Sequence, residues 1–312
     1  MIDVVVSAPV PPRLYECLEG RYRLHDYVKA ADKPAMLAEI APAVRALVTS
    51  ARIGATGAFI NSFPKLEMIS CVGTGYGSID IAAAKARGIP VGYTPGVLDD
   101  EVADYGMALM FAVARRIVEG DRFARAGKWK QGLLAFGTRV GGKRLGIVGL
   151  GAIGRLVAKR ALAFGMQIAY FGPHRKDDVP YEYFADVAEM ATSVDYLMLT
   201  CPGGKATDNL IDARVLAALG PAGFLINIAR GSVVDEKALV AALSEKLIAG
   251  AALDVYADEP NIPEALFGLD NVVLSPHQAS ASNETRRAMA ELAVANLEAF
   301  FAGKPLVKPV PE

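Results

Sequence analysis

The 312-residue sequence predicts an α/β protein made of two doubly wound parallel-sheet domains. Three observations carry that expectation. Short apolar runs alternate with helical stretches along the chain, as in parallel strands covered by helices. At about 150 residues per domain the length suits two domains, and a composition of 53 % hydrophobic against 21 % charged residues can fill two cores. A glycine-rich segment, Gly149-Leu-Gly-Ala-Ile-Gly154, stands mid-chain after one complete α/β run, so the second domain is inserted into the first or follows it.

From the N-terminus, strand-like runs at Val4–Ser7, Leu47–Thr49 and Met68–Val72 alternate with helix-like runs at Lys33–Ile40 and Ile79–Arg87. Ser78 is the expected N-cap of the latter and Gly88 its C′ residue. Asp99 and Asp100 are expected to cap one long amphipathic helix from Glu101 to Ala126. Beyond the glycine-containing stretch 127–142, strands are expected at Leu145–Val148, Gln167–Phe171, Tyr196–Leu199, Phe224–Asn227, Ala251–Val255 and Val272–Leu274. A last helix, Asn283–Ala302, precedes a proline-rich tail.

Composition excludes several classes of function. Lys and Arg total 33 against 34 Asp and Glu, a net charge of −1, without the basic excess of a nucleic-acid binder. Three scattered cysteines, Cys17, Cys71 and Cys201, with no CxxC, make neither a disulfide framework nor a thiolate metal site, so no metal and a reducing, cytoplasmic compartment are expected. The first residues lack a signal peptide's charged and apolar regions. The most apolar stretch, Ala103–Val118, carries Asp104, Arg115 and Arg116 and is too short to span a bilayer, so a soluble protein without membrane contact is expected. Imidazole chemistry has three candidates: His25, His174 and His277.

The glycine segment follows an apolar strand and opens a helix running to about Phe164, the context in which GxGxxG binds a dinucleotide. Gly149 permits the tight turn, Gly151 lets the backbone approach a pyrophosphate, and Gly154 lets helix pack on strand. The alternative is a purely structural turn. About 20 residues on, where an acid would bind the ribose 2′-hydroxyl of NAD, the strand ends in Ile168-Ala-Tyr-Phe-Gly172 without one, and His174, Arg175 and Lys176 follow. Missing carboxylate and adjacent cations favour a 2′-phosphate, hence NADP(H) over NAD(H), with NAD(H) not excluded. The competing reading is a solvated basic loop, since Asp177 and Asp178 lie beside it.

Three side chains stand just past expected strand ends: Arg230 in Asn227-Ile-Ala-Arg-Gly-Ser-Val-Val-Asp235, Glu259 in Leu253-Asp-Val-Tyr-Ala-Asp-Glu-Pro260, and His277 in Leu274-Ser-Pro-His-Gln-Ala279. Ligands of open α/β sheets bind outside the carboxyl ends of strands. The chemistry suits hydride transfer to a 2-oxo acid. An imidazolium protonates the forming alkoxide, a carboxylate keeps the imidazole protonated, and a guanidinium holds the substrate carboxylate. His277 is then the acid, Glu259 its orienting partner and Arg230 the anchor.

On these segments, together with Ala252-Leu-Asp-Val-Tyr-Ala-Asp-Glu-Pro260, the chain resembles the D-2-hydroxyacid dehydrogenase family from about residue 45 onward. At Asp121-Arg-Phe-Ala-Arg-Ala-Gly-Lys-Trp-Lys130 and Leu266-Phe-Gly-Leu-Asp-Asn-Val-Val-Leu274 it is similar to the glyoxylate/hydroxypyruvate reductase branch, which includes hydroxyphenylpyruvate reductases. The resemblance implies a Rossmann cofactor domain, 97–281, inserted into a flavodoxin-like substrate domain, 1–96 and 282–312. Two crossings between them favour a hinge that closes on substrate. It implies that Arg230, Glu259 and His277 are the catalytic trio, and that the loop holding Gly73, Thr74 and Gly75 offers backbone N–H groups to the substrate carboxylate. Thr74 departs from the family's Val, and Pro173-His174 from its usual Ser or Arg. It implies further cofactor contacts at Ala152, Ile153, Cys201, Pro202, Thr207, Ile228 and Asp254. Arg52, in a loop that faces substrate in this family, either helps select a polar or doubly charged 2-oxo acid or is an ordinary surface arginine. The resemblance also implies a homodimer through the 100–145 region, where Trp129 either packs or reaches a partner subunit. The expected activity is NADPH-dependent reduction of glyoxylate or hydroxypyruvate to the D-2-hydroxy acid. Phenylpyruvate-type or 2-ketogluconate-type substrates, and a dinucleotide-sensing binding protein, are the alternatives.

Overall fold

The computed structural model describes residues 1–311, which form two compact units: Met1–Leu98 with the residues from Ala281 onward, and Asp99–Ser280. The first unit begins β1 (Ile2–Val6), α1 (Pro12–Leu18), β2 (Tyr22–Asp26), α2 (Lys33–Ile40), β3 (Val44–Ser50), α3 (Gly57–Asn61), β4 (Met68–Val72), α4 (Ile81–Ala86) and β5 (Val91–Gly92). Its strands are all parallel in the order β2-β1-β3-β4-β5, the flavodoxin-like doubly wound arrangement. Val4, Val5 and Val6 are fully buried in succession because both faces of the sheet are covered.

Two sequence expectations change here. β2, Tyr-Arg-Leu-His-Asp, carries no apolar run because it is an edge strand, and its His25 Nε2 lies 2.8 Å from Asp3 Oδ1 on β1. The helix expected from Ile79 starts at Ile81. Its N-cap is Asp80, whose carboxylate accepts from Ala83 N–H, while the Ser78 hydroxyl donates to the Ala51 carbonyl instead.

The second unit opens with α5 (Asp99–Ala114) and α6 (Ile117–Arg125), where one helix was expected. Arg116 breaks it by taking a left-handed conformation, φ 55°, and pairs its Nε with Glu119 Oε2 at 2.6 Å. Asp99 and Asp100 lie inside the first turn, where their charge suits the helix dipole. Then come β6 (Arg144–Val148), α7 (Ala152–Ala163), β7 (Gln167–Phe171), β8 (Glu182–Phe184), α8 (Val187–Ala191), β9 (Tyr196–Leu199), α9 (Ala213–Leu219), β10 (Phe224–Asn227), α10 (Glu236–Ser244), β11 (Gly250–Leu253) and β12 (Val272–Leu274). The seven strands are parallel in the order β12-β11-β10-β9-β6-β7-β8. This is the Rossmann order with one strand added, and the winding reverses between β6 and β9. Asp186, Asp212 and Asp235 cap α8, α9 and α10, each accepting N–H groups of the first turn.

The final helix, α11 (Asn283–Phe301), belongs to the first unit. Ser282 caps it, and its buried face holds Met289, Ala290, Ala293, Val294, Asn296 and Leu297. Ser70 on β4 donates to the Ala293 carbonyl (2.9 Å). The buried Asn296 amide donates to Tyr93 O (3.1 Å) and accepts from Lys308 N–H (2.9 Å). A side chain at Gly92 would meet Asn296 at 2.9 Å, so the strand carries glycine there. No helix among the described residues is long and apolar enough to cross a membrane.

Candidate active site

The trio is built on the carboxyl ends of β10, β11 and β12, neighbours in the second unit's sheet. Behind β10 the buried Asn227 braces the turn, accepting from Ala229 N–H and donating to Arg230 O, both at 3.0 Å. The Arg230 guanidinium donates from Nη1 to Ala229 O (2.6 Å). Burial pulls it below the usual arginine range, while the charge of Glu259 acts in the opposite direction. Gly231 comes next for a steric reason: a Cβ would stand 1.9 Å from the Tyr256 carbonyl carbon. The backbone after β10 therefore lies directly on the segment after β11 that carries Glu259.

Glu259 accepts from Tyr256 N–H through Oε1 (3.2 Å) and faces His277 Nδ1 through Oε2 (2.7 Å). A carboxylate only accepts, so Nδ1 carries the proton and Nε2 is left for another partner. The His277 side chain is 36 % exposed against 16 % for Glu259, so the ring presents that nitrogen outward while its orienting group is covered. His277 itself sits at φ 56°, a conformation that costs a non-glycine residue and is held by its surroundings. Those surroundings converge on Asp254, 1 % exposed. Its carbonyl accepts from His277 N–H (2.9 Å), and its carboxylate from Gln278 N–H (2.7 Å), Ala279 N–H (2.9 Å) and the Ser275 hydroxyl (2.5 Å). Tyr105 on α5 meets Ser275 Oγ at 2.8 Å, and the Tyr256 hydroxyl donates to Ser275 O at 3.0 Å.

The glycine turn between β6 and α7 fits a dinucleotide. Gly149 has φ 96°, and a Cβ there would lie 2.7 Å from Cys201 Cα. A Cβ at Gly154 would meet Gly149 O at 2.4 Å, whereas at Gly151 it would enter open space. Gly151 N-caps α7 with no capping side chain, so the first-turn N–H groups, including those of Ala152 and Ile153, face that space as an anion site.

Residues 107–279 match the family model described as "D-isomer specific 2-hydroxyacid dehydrogenase, NAD binding domain". The chain belongs to this family. It is 44 % identical over 309 residues to the glyoxylate/hydroxypyruvate reductase A of Arabidopsis thaliana, covering 99 % of each protein. It is 45 % identical over 308 residues to the 2-ketogluconate reductase of Gluconobacter oxydans, covering 99 % of this chain and 98 % of that one. Among solved structures, the NADPH-dependent glyoxylate/hydroxypyruvate reductase of Sinorhizobium meliloti, in complex with NADP and malonate, superposes with a TM-score of 0.91 at 38 % identity, covering 99 % of this chain and 96 % of that one. The protein is thus an oxidoreductase of the 2-hydroxyacid dehydrogenase family, and its second unit is the NAD-binding domain.

In this dehydrogenase the remaining sequence-predicted residues divide by exposure. His174 and Arg175 are exposed in the loop after β7, and Lys176 is half-buried with its N–H on the Tyr170 hydroxyl (2.6 Å). Pro202 is exposed, and Thr207 closes the turn 202–207 by donating to Pro202 O (2.7 Å). Ile228 is 7 % exposed. Cys201 is buried, its thiol pushed up to about 11 by that burial, and its backbone is the surface that Gly149 crosses. Asp254 spends its carboxylate on the chain's own donors, holding the His277 segment. In the first unit Arg52 is exposed. Gly73 donates its N–H to Thr94 Oγ1 (2.8 Å), so Gly73 is a brace of the loop that also carries Thr74 and Gly75. Sequence reasoning missed Ser275, Tyr105 and Asn227. Only Asn227 had a local signal, a polar residue closing an apolar strand.

Proposed function

We propose that the chain is an NADPH-dependent reductase of a small 2-oxo acid, glyoxylate or hydroxypyruvate, forming the D-2-hydroxy acid. The observation that carries this reading is the 2.7 Å contact between His277 and Glu259, with the Arg230 guanidinium feeling the charge of Glu259. A bound nicotinamide dinucleotide supplies the hydride that reaches the 2-oxo carbon. Arg230 holds the substrate carboxylate in its fork and polarises the carbonyl. His277 Nε2–H hydrogen-bonds the carbonyl oxygen and releases its proton as that oxygen takes on negative charge. Glu259 keeps the ring oriented throughout, because the Nδ1–H it accepts remains in place after Nε2 has given up its proton. In the first unit, Thr74 and Gly75 are the residues assigned to offer N–H groups to a carboxylate, and Arg52 to help select a polar substrate. An Arg52→Ala protein whose relative kcat/KM among glyoxylate, hydroxypyruvate and phenylpyruvate is unchanged would remove that last role.

The cofactor preference rests on His174, Arg175 and Lys176 after β7 and on the absence of an acid at Gly172. The NADP-bound relative from Sinorhizobium meliloti supports it. Replacing Arg175 and Lys176 together by Ala is expected to cut the NADPH/NADH preference at least tenfold. The decisive assay follows NADPH loss with glyoxylate, hydroxypyruvate, phenylpyruvate and 2-ketogluconate. The highest kcat/KM is expected for the first two. A preference for 2-ketogluconate supports the second reading, which the Gluconobacter oxydans relative favours. No turnover with any acid at about pH 5.5 to 8 would leave a dinucleotide-sensing role instead.

The reading includes a homodimer through the 100–145 region. No residue of α6 is buried, and Trp129, Leu133 and Phe136 are 72, 81 and 94 % exposed on the segment that follows it. A second copy offers the same apolar surface and closes the contact by twofold symmetry. Phe136→Asp is expected to halve the mass measured by light scattering, and an unchanged mass counts against the assignment. Free thiols at Cys17, Cys71 and Cys201 support a cytoplasmic location, which cell fractionation tests.

A further inference from the structure

Arg155 stands where a helix disfavours a cation. It is in the opening turn of α7, its N–H closing onto Gly151 O (3.0 Å), and the exposed N–H groups of that turn already carry partial positive charge. No acidic residue in the first turn offsets it. A local rule broken beside a binding turn points to a ligand of the opposite sign. The side chain extends towards β7: its Nη2 lies 3.0 Å from Asp178 Oδ1 and 2.9 Å from Oδ2. Asp178 belongs to the same loop as His174, Arg175 and Lys176. That loop is anchored at the Tyr170 hydroxyl and by the Tyr183 hydroxyl donating to Gly172 O (3.1 Å). Arg155 therefore spans from the glycine turn to the loop at the end of β7, where the adenosine ribose of a dinucleotide lies in this fold.

We propose that Arg155 is a further ligand of the cofactor's adenosine 2′-phosphate, and that Asp178 is its placeholder, neutralising the guanidinium until the phosphate displaces it. The exchange is favourable on chemical grounds. A phosphate monoester brings close to two negative charges and three acceptor oxygens against one charge and two oxygens, and guanidinium forks match it. Asp178 is 66 % exposed at its side chain, so once released it returns to water without a burial penalty. Asp178 consequently sets how strongly the site rewards the 2′-phosphate. This inference rests on the NADP reading above.

The test is calorimetry on the full chain with two fragments, adenosine 2′,5′-bisphosphate and adenosine 5′-monophosphate. The wild type is expected to bind the bisphosphate at least tenfold more tightly. Arg155→Gln is expected to lose at least about fivefold of bisphosphate affinity while keeping monophosphate affinity within twofold, which also reports an intact site. Asp178→Asn is expected to tighten the bisphosphate about threefold or more and leave the monophosphate unchanged. A wild type that discriminates, with an Arg155→Gln protein that discriminates equally, overturns the inference alone. A wild type that binds both fragments equally overturns the NADP reading and this inference with it.

Discussion

At the scale of single residues, backbone conformation decides which substitution of His277 is informative. Asn tolerates the left-handed region better than other non-glycine residues, so His277→Asn is expected to keep the unfolding midpoint of the wild type. Its kcat/KM is expected to fall by about 10²–10⁴, the usual worth of a general acid. His277→Ala loses the same activity and about 1 kcal/mol of stability as well, because Ala lacks the tolerance for the left-handed region that His and Asn share. Steady-state kinetics and urea melts separate the two. Thiol chemistry gives a pH-dependent check. Burial raises Cys71 to about 12 and Cys201 to about 11. A raised thiol is neutral below its pKa, so at pH 8 Cys201 is about one part in 10³ thiolate and Cys71 about one in 10⁴. Iodoacetamide at pH 8 is expected to modify Cys17, which is half-exposed, and to spare the other two until the protein unfolds, as peptide mass spectrometry would register. Arg230, Glu259 and His277 could be singled out from the sequence because each follows a short strand-like run within a distinctive segment. The Arg155–Asp178 pair was not legible, because its partners are far apart in sequence and both charges look like ordinary surface residues until the loop after β7 folds back.

At the scale of elements, the site depends on loops that lie on one another. Gly231 is the closest of these approaches, and Gly231→Ala forces a methyl into the Tyr256 backbone. The expected loss is about 3 kcal/mol, the upper end for overpacking, accompanied by a drop in kcat because the segments holding Arg230 and Glu259 must separate. An alanine variant with an unchanged melt and kcat would contradict the geometry described. The same scale explains what the sequence reading resolved. Strands β6, β7, β9, β10 and β11 are buried over most of their length and so read as apolar runs, whereas the exposed edge strand β8 went unread. β2 escaped notice because an edge strand carries Arg, His and Asp without cost. The break between α5 and α6 escaped because Arg116, not a glycine, adopts the left-handed turn. The two helices share an amphipathic pattern that runs through the break. Asp80 rather than Ser78 caps α4, a choice between adjacent good caps that propensity does not make.

At the scale of the whole molecule, the chain path matters more than the length that first suggested two domains. The second unit is continuous, Asp99–Ser280, whereas the first is completed only by α11. Until α11 docks, Ser70 on β4 and the Tyr93 carbonyl lack the partners that Ala293 and Asn296 give them. One face of the first sheet also lies open. The segment 99–280, produced alone, is expected to unfold cooperatively in urea, and 1–98 alone to show no cooperative transition. A cooperative melt for 1–98 would mean that α11 is dispensable. Order of synthesis is therefore not order of maturation. On the ribosome the first unit is made first and finished last, waiting with an uncovered sheet while the entire nucleotide-binding unit is translated and folded. A chaperone that protects apolar surface has its longest opportunity there, and mutations that weaken α11 will be felt as lower yield before they are felt as lower activity.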